Sequence, residues 1–225
     1  IAQTAAADFP TAPPAPGPAP TLHIATPQQF TLPHGLRVVV AHRDGLPLVT
    51  TELLVRAGSE TDPRDKAGLA ALTADLLSKG AGGLGAPQIA AASEALGGSL
   101  DTGSGWDQSA VEITVTTPKL PAALKLGAEA ARHPQFAQAE LERARKQTLG
   151  NLRLSLAQPT GMASLLGARA TFGDGAYGHS RIGTPSSLAR ITRDDVVQQH
   201  ATWYRPDNTI LIFAGDIDMA TARRL

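Results

Sequence analysis

The chain contains no cysteine. That removes disulfides, thiolate metal sites and a cysteine nucleophile together, and it fits either redox compartment. Net charge is also missing, because twenty basic residues cancel twenty acidic ones. No electrostatic pull therefore favours nucleic acid or an anionic membrane. No apolar run nears the ~20 residues of a membrane span. The glycine-rich stretch 80–85 lacks the Gly-Lys-Ser/Thr ending of a phosphate loop. None of the six histidines (23, 34, 42, 133, 179 and 200) forms a His-x-x-x-His or inverted His-x-x-Glu-His pair, so each reads as a turn or surface residue. Ser59, Ser104 and Ser109 have no His-Asp arrangement visible from spacing, which leaves a serine hydrolase unsupported. No internal repeat is present. What remains is 225 residues, 42% apolar and 18% charged. That composition suits a globular chain with a core sized for one or two domains.

Residues 1–27 read as a leader and linker. Ile1-Ala2-Gln3 followed by Thr-Ala-Ala-Ala fits the small-residue tail of a secretory signal, or simply an Ala-rich terminus. Pro10 to Pro20 holds six prolines in eleven residues, a stiff extended spacer. A spacer of this kind after such a start suits an exported, periplasmic protein. The folded part is expected over 28–225.

Within it, Lys66 to Gly80 reads as one amphipathic helix. Leu69, Leu72 and Leu76 recur at the helical period, and Ala71, Ala74, Asp75 and Ser78 gather opposite them. Ser99 to Thr102 and Ser109 to Thr117 look like paired strands, with Val111, Ile113 and Val115 alternating along the second. Pro118 to Arg132, Gln138 to Leu156 and Thr160 to Phe172 read as helices, and Thr209 to Ala214 as an apolar strand. Trp106 and Trp203 read as partial core. Asp75 is either a solvated helix carboxylate or an inward hydrogen-bond partner.

Several stretches then point one way. Gly68-Leu69-Ala70 and Lys79-Gly80 flank the helix. Gly58-Ser59-Glu60-Thr61-Asp62-Pro63 precedes it. Tyr177-Gly178 through Gly183-Thr184, Tyr204-Arg205-Pro206-Asp207-Asn208 and Gly215-Asp216 follow. In order and spacing they resemble the pitrilysin/insulinase family of zinc peptidases, the inverzincins, from about residue 28 to 225. The resemblance implies an α+β fold, a mainly antiparallel sheet with helices on one face, of the LuxS/pitrilysin-like metallopeptidase kind. It implies that 28–225 is an N-terminal domain whose second, homologous domain is absent from this chain.

In that family the helix carries His-x-x-Glu-His, with both histidines on one metal and the glutamate as general base. The corresponding positions here are Ala71, Ala74 and Asp75. The third ligand, from an acidic pair on a later helix, falls at Gly150-Asn151. A methyl group has no lone pair, and one carboxylate does not hold zinc against water. The metal and base positions Ala71, Ala74, Asp75 and Asn151 are therefore expected to be vacant, with no catalytic residue or cofactor in this chain. In active relatives the strand at Ser99, Leu100, Asp101 and Thr102 is an edge that takes an extended peptide by main-chain pairing. It is otherwise an ordinary hairpin strand.

The resemblance implies a catalytically inactive subunit of a heterodimer. The partner would carry zinc and the intact motif, and this chain would supply part of the wall that holds a peptide or unfolded polypeptide. An Arg/Tyr pair would come from the missing second domain. The alternatives are a structural, assembly or peptide-binding protein of the same fold with no proteolytic role, or a metallopeptidase using unrelated ligands.

Overall fold

The computed structural model describes residue 17 and residues 26–225. The expected leader and linker over 1–27 thus lie almost wholly outside the described residues. The chain runs β1 (Gln28–Thr31), β2 (Arg37–His42), β3 (Leu48–Val55), α1 (Leu69–Leu76), β4 (Gly80–Ala81), β5 (Leu84–Gly85) and α2 (Ala86–Ala95). It continues β6 (Leu100–Ser104), β7 (Ser109–Thr116), α3 (Leu120–Arg132), α4 (Gln138–Leu156) and α5 (Pro159–Phe172). It ends α6 (Pro185–Arg190), α7 (Arg193–Trp203), β8 (Thr209–Gly215) and α8 (Met219–Arg224).

Six strands form one sheet in the order β1-β2-β8-β3-β7-β6. Every pairing is antiparallel except β2 with β8. Alternation decides which side is buried. Val111, Ile113 and Val115 of β7 are buried, and their cross-strand partners Leu53, Thr51 and Val49 share that face. Val38, Val40 and Phe213 continue it. The helices pack here in two adjoining clusters. One gathers α1, α4, α6 and α7 around Leu72, Leu141 and Val196; the other gathers α3 and α8 around Val115, Phe213 and Ala222. The fold is α+β, as expected. Burying one side chain such as Phe213 contributes about 1.5–3 kcal/mol, so these two clusters carry most of the apolar stabilisation.

Two expectations change. The helix expected over 66–80 is shorter. Arg64–Lys66 is a 3-10 turn, Gly68 takes φ +94°, and regular helix begins only at Leu69. At the far end Gly80 and Ala81 leave the helix to pair with Gly85 and Leu84. The helix is also not amphipathic in the simple sense. Ala74, placed on its outer side by periodicity, is fully buried. Packing of α1 against α4, α7 and β6 covers both of its sides. The short helix α6 follows the 177–184 segment. Its start is fixed by Thr184, whose hydroxyl accepts the Ser187 amide at 3.2 Å.

Candidate functional site

The site is built around the beginning of α1. Asp62 is almost fully buried, and its carboxylate accepts the Gly68 amide at 2.7 Å and the Ala70 amide at 2.8 Å. These are among the donors that a helix start leaves unpaired. Burial raises the Asp62 pKa to about 6, opposed by those amides and by nearby His179. The carboxylate is thus ionised at neutral pH and holds α1 by its first turn.

The segment 177–184 clamps the same point from the other side. Gly183 and Gly68 pass so closely that a Cβ on Gly183 would sit 2.5 Å from the Ala67 carbonyl oxygen. The Ser187 hydroxyl donates to that carbonyl at 2.8 Å, and Ser59 donates to the Arg181 carbonyl at 3.3 Å. Arg181 reaches across to the Ser104 carbonyl at the end of β6. The position of α1 relative to the sheet is therefore fixed by the very stretches that looked family-like in sequence.

On this anchored helix Ala71 is half-buried and Ala74 fully buried. Asp75 is half-exposed and lies 3.7 Å from Lys79. An exposed ion pair of this kind contributes under about 1 kcal/mol. Asp75 is thus a surface-facing carboxylate with a lysine partner, closer to the solvated reading. Asn151 lies exposed on α4. Zinc needs three or four nitrogen, sulfur or anionic oxygen donors in tetrahedral reach. Two methyl groups, one lysine-paired carboxylate and one amide do not fit it. Among the described residues no group of three His, Asp or Glu side chains is arranged to hold a metal.

The strand singled out in sequence is the outermost of the sheet. Among the described residues β6 pairs with β7 on one side only. Leu100, Thr102 and Ser104 lie on the helix-bearing face, Asp101 and Gly103 on the other. The Ser99 hydroxyl, just before the strand, donates to Asp101 at 2.6 Å. Ser78 at the end of α1 and Thr102 meet hydroxyl to hydroxyl at 3.3 Å, so the outer strand runs directly beside α1. A cleft of about 450 Å³ opens where Ser99 and Leu100 face Ser78, Lys79 and Glu140.

The histidines are not uniformly superficial. His200 is half-buried, stacks on Tyr204 with ring centroids 4.8 Å apart, and donates from Nε2 to the Ala131 carbonyl at 2.8 Å. Burial lowers its pKa. Its sequence context, one polar residue in a polar helix, gave no sign of this.

The fold is that of a peptidase-type domain, and Ala71, Ala74, Asp75 and Asn151 offer no ligand set for a metal. Residues 37–184 match the profile of the insulinase family, peptidase family M16, and the chain belongs to that family. An uncharacterized zinc protease of Mycobacterium leprae is 28% identical over 188 residues, covering 84% of this chain and 42% of the relative. A Helicobacter pylori protein called non-peptidase homolog YmxG is 25% identical over 181 residues, covering 80% and 42%. The crystal structure of a peptidase M16 inactive domain from Pseudomonas fluorescens superposes with a TM-score of 0.85 at 27% identity, covering 89% of this chain and 49% of that one. The chain spans about half the length of the relatives it matches.

Proposed function

We propose that the chain is a catalytically inactive subunit of a heterodimeric insulinase-type zinc peptidase, acting in the periplasm or another exported compartment. It holds peptide while a partner with an intact His-x-x-Glu-His motif and bound zinc cleaves it. One observation carries this reading: α1 is held in place by Asp62 and the 177–184 clamp, while Ala71, Ala74, Asp75 and Asn151 offer no ligand set. A scaffold kept in order around an empty centre suits binding more than chemistry. The unpaired edge of β6 supplies main-chain donors and acceptors for an extended peptide, and such pairing needs no metal. Ser99, Leu100, Asp101 and Thr102 are the residues proposed to bind it.

The test is recovery of the full-length protein from its host, with co-purifying proteins identified by mass spectrometry and zinc measured in each. The expected result is a second family member bearing the intact motif and the zinc. Recovery of the protein alone, with one equivalent of zinc and peptidase activity that Asp75→Ala abolishes, would overturn the proposal.

A further inference from the structure

The hydrogen-bond alternation of β6 shows which of its backbone groups face outwards. The Gly105 amide donates to the Gln108 carbonyl at 2.7 Å and closes the hairpin between β6 and β7. Opposite residues of an antiparallel pair alternate between bonded and non-bonded. Counted back from Gly105 along the observed register, Ser104, Thr102 and Leu100 are the non-bonded residues. Their amides and carbonyls point away from β7, along the outer edge. Gly103 and Asp101 direct theirs at β7.

Both ends of this edge are occupied. Gly98 lies in the same phase as Leu100, and its amide already donates to the Ser93 carbonyl near the end of α2 at 3.2 Å. At the other end the Arg181 guanidinium donates to the Ser104 carbonyl. Arg181 is exposed and reaches Ser104 from the 177–184 clamp. Between these stops the outward groups of Leu100 and Thr102 bond to no other backbone group among the described residues.

Asp101 stands between those two rungs, on the open face of the sheet, in one row with Glu112 and Glu52. None of the three carboxylates has a cation within ion-pair distance among the described residues. A strand laid on β6 would place one side chain directly opposite Asp101, at the end of that row. An opposite charge is favoured there and a like charge disfavoured.

We propose that the β6 edge reads a short extended segment, antiparallel to β6 and opposite Leu100–Thr102, in a single register. Arg181 is the positioning residue that ends it, and a lysine or arginine fills its middle place, opposite Asp101. The inference rests on the peptide-binding reading above and adds its length, register and charge. A slip of one residue would turn the middle side chain to the helix-bearing face. A slip of two would need the Ser104 carbonyl or the Gly98 amide, and both are taken.

The test titrates the whole 225-residue chain with two acetylated, amidated peptides, Ser-Gly-Thr-Lys-Thr-Gly-Ser and Ser-Gly-Thr-Glu-Thr-Gly-Ser. Residue-resolved amide exchange reads the site. The lysine peptide is expected to slow exchange at Leu100 and Thr102 and to leave Ser104 unchanged. It should bind about fivefold more tightly than the glutamate peptide. Asp101→Asn should bring the two affinities within about twofold of each other. In Arg181→Ala the bound lysine peptide should slow Ser104 as well, and Arg181→Lys, which still offers a donor, should restore the limit. If Arg181 only held the hairpin tip, its loss would change exchange at Ser104 equally with and without peptide. That result would overturn the proposal. So would equal affinity of the two peptides, and in both cases slowed exchange at Leu100 and Thr102 would leave peptide binding at β6 standing. Failure of both peptides to slow Leu100 and Thr102 would remove the peptide-binding reading itself, and this inference with it.

Discussion

Asp62 and Ala70 are joined at 2.8 Å, carboxylate to amide, across the turn that precedes α1. A second oxygen of the same carboxylate takes the Gly68 amide. The acid that ends the Gly58–Pro63 turn is therefore the cap of the helix that follows. Asp62→Ala would remove the cap and leave two buried amides without partners. The expected loss is about 2–3 kcal/mol in urea unfolding. Amide exchange should accelerate first along α1 and the 177–184 segment. Uniform acceleration through all helices would mean that Asp62 does not act through α1.

The same carboxyl makes stability depend on pH. Its pKa stands near 6 in the fold against 3.8 as the ordinary value, raised by burial. The folded state therefore binds more protons than the unfolded state between those values. Stability falls as pH rises from about 4 to about 6, then levels off; the total contribution is at most about 2–3 kcal/mol. Asp62→Asn cannot titrate, so its unfolding free energy should lack this part of the slope. Identical slopes in the two proteins would show that Asp62 titrates alike folded and unfolded.

Much of this fold was legible in the chain because its signals are local. α4 begins and ends where its leucine stripe and charge pattern place it, at Gln138 and Leu156. Alternation along Val111, Ile113 and Val115 marked the buried face of β7. The length of α1 was not legible, since its start depends on a +94° turn at Gly68 forced by the approach of Gly183 from 115 residues away (183 − 68). Nor was the burial of Ala74, which follows from α4, α7 and β6 closing around a short helix. At Ala71 and Ala74 the residue type alone excludes ligation, because a methyl group has no lone pair wherever it lies. The role of Asp62 is not legible in its turn motif, because its carboxylate caps amides six and eight residues on, at Gly68 and Ala70, only once the chain has folded back.

Glycine at 183 is a steric requirement. Its φ is +87°, and an added Cβ would meet the Ala67 carbonyl oxygen at 2.5 Å. Gly183→Ala should cost about 1–3 kcal/mol through strain and loosening of the clamp. Gly150, inside α4 with nothing within 4 Å of its added Cβ, is the control. Gly150→Ala should stabilise by about 0.5–1 kcal/mol, as alanine does in a helix interior. Thermal unfolding of the two variants should move in opposite directions.

On the open face of the sheet Glu52 lies directly across from Glu112, and Glu112 from Asp101. Partial burial and then the Glu112 charge raise the Glu52 pKa. A raised carboxylate pKa means that ionisation costs more in the fold, so the Glu52 contribution falls as pH rises through the carboxylate range. Glu112→Gln should gain a few tenths of a kcal/mol at pH 7, where like charges oppose each other. The gain should vanish near pH 3, where Glu52, its pKa raised, carries no charge. An equal gain at both pH values would trace to something other than charge.

The proposed vacant centre has a test of its own. Ala74, which the proposed reading matches to the family's base position, has no exposed surface. A glutamate there would be a charge in a fully covered position, and Lys79, five residues on, is paired with Asp75 on the exposed side of the helix. Breaking or omitting the partner of a buried charge costs about 3–5 kcal/mol. Ala74→Glu should therefore lower stability by an amount in that range at pH 7. The loss should shrink towards pH 4, where the carboxyl can bind a proton and avoid the charge. Ala74→Gln, of the same shape without the charge, should lose less at pH 7 and show no such recovery. If Ala74→Glu were tolerated at pH 7 as well as Ala74→Gln, water would have to reach this position readily, and α1 would be open to solvent there.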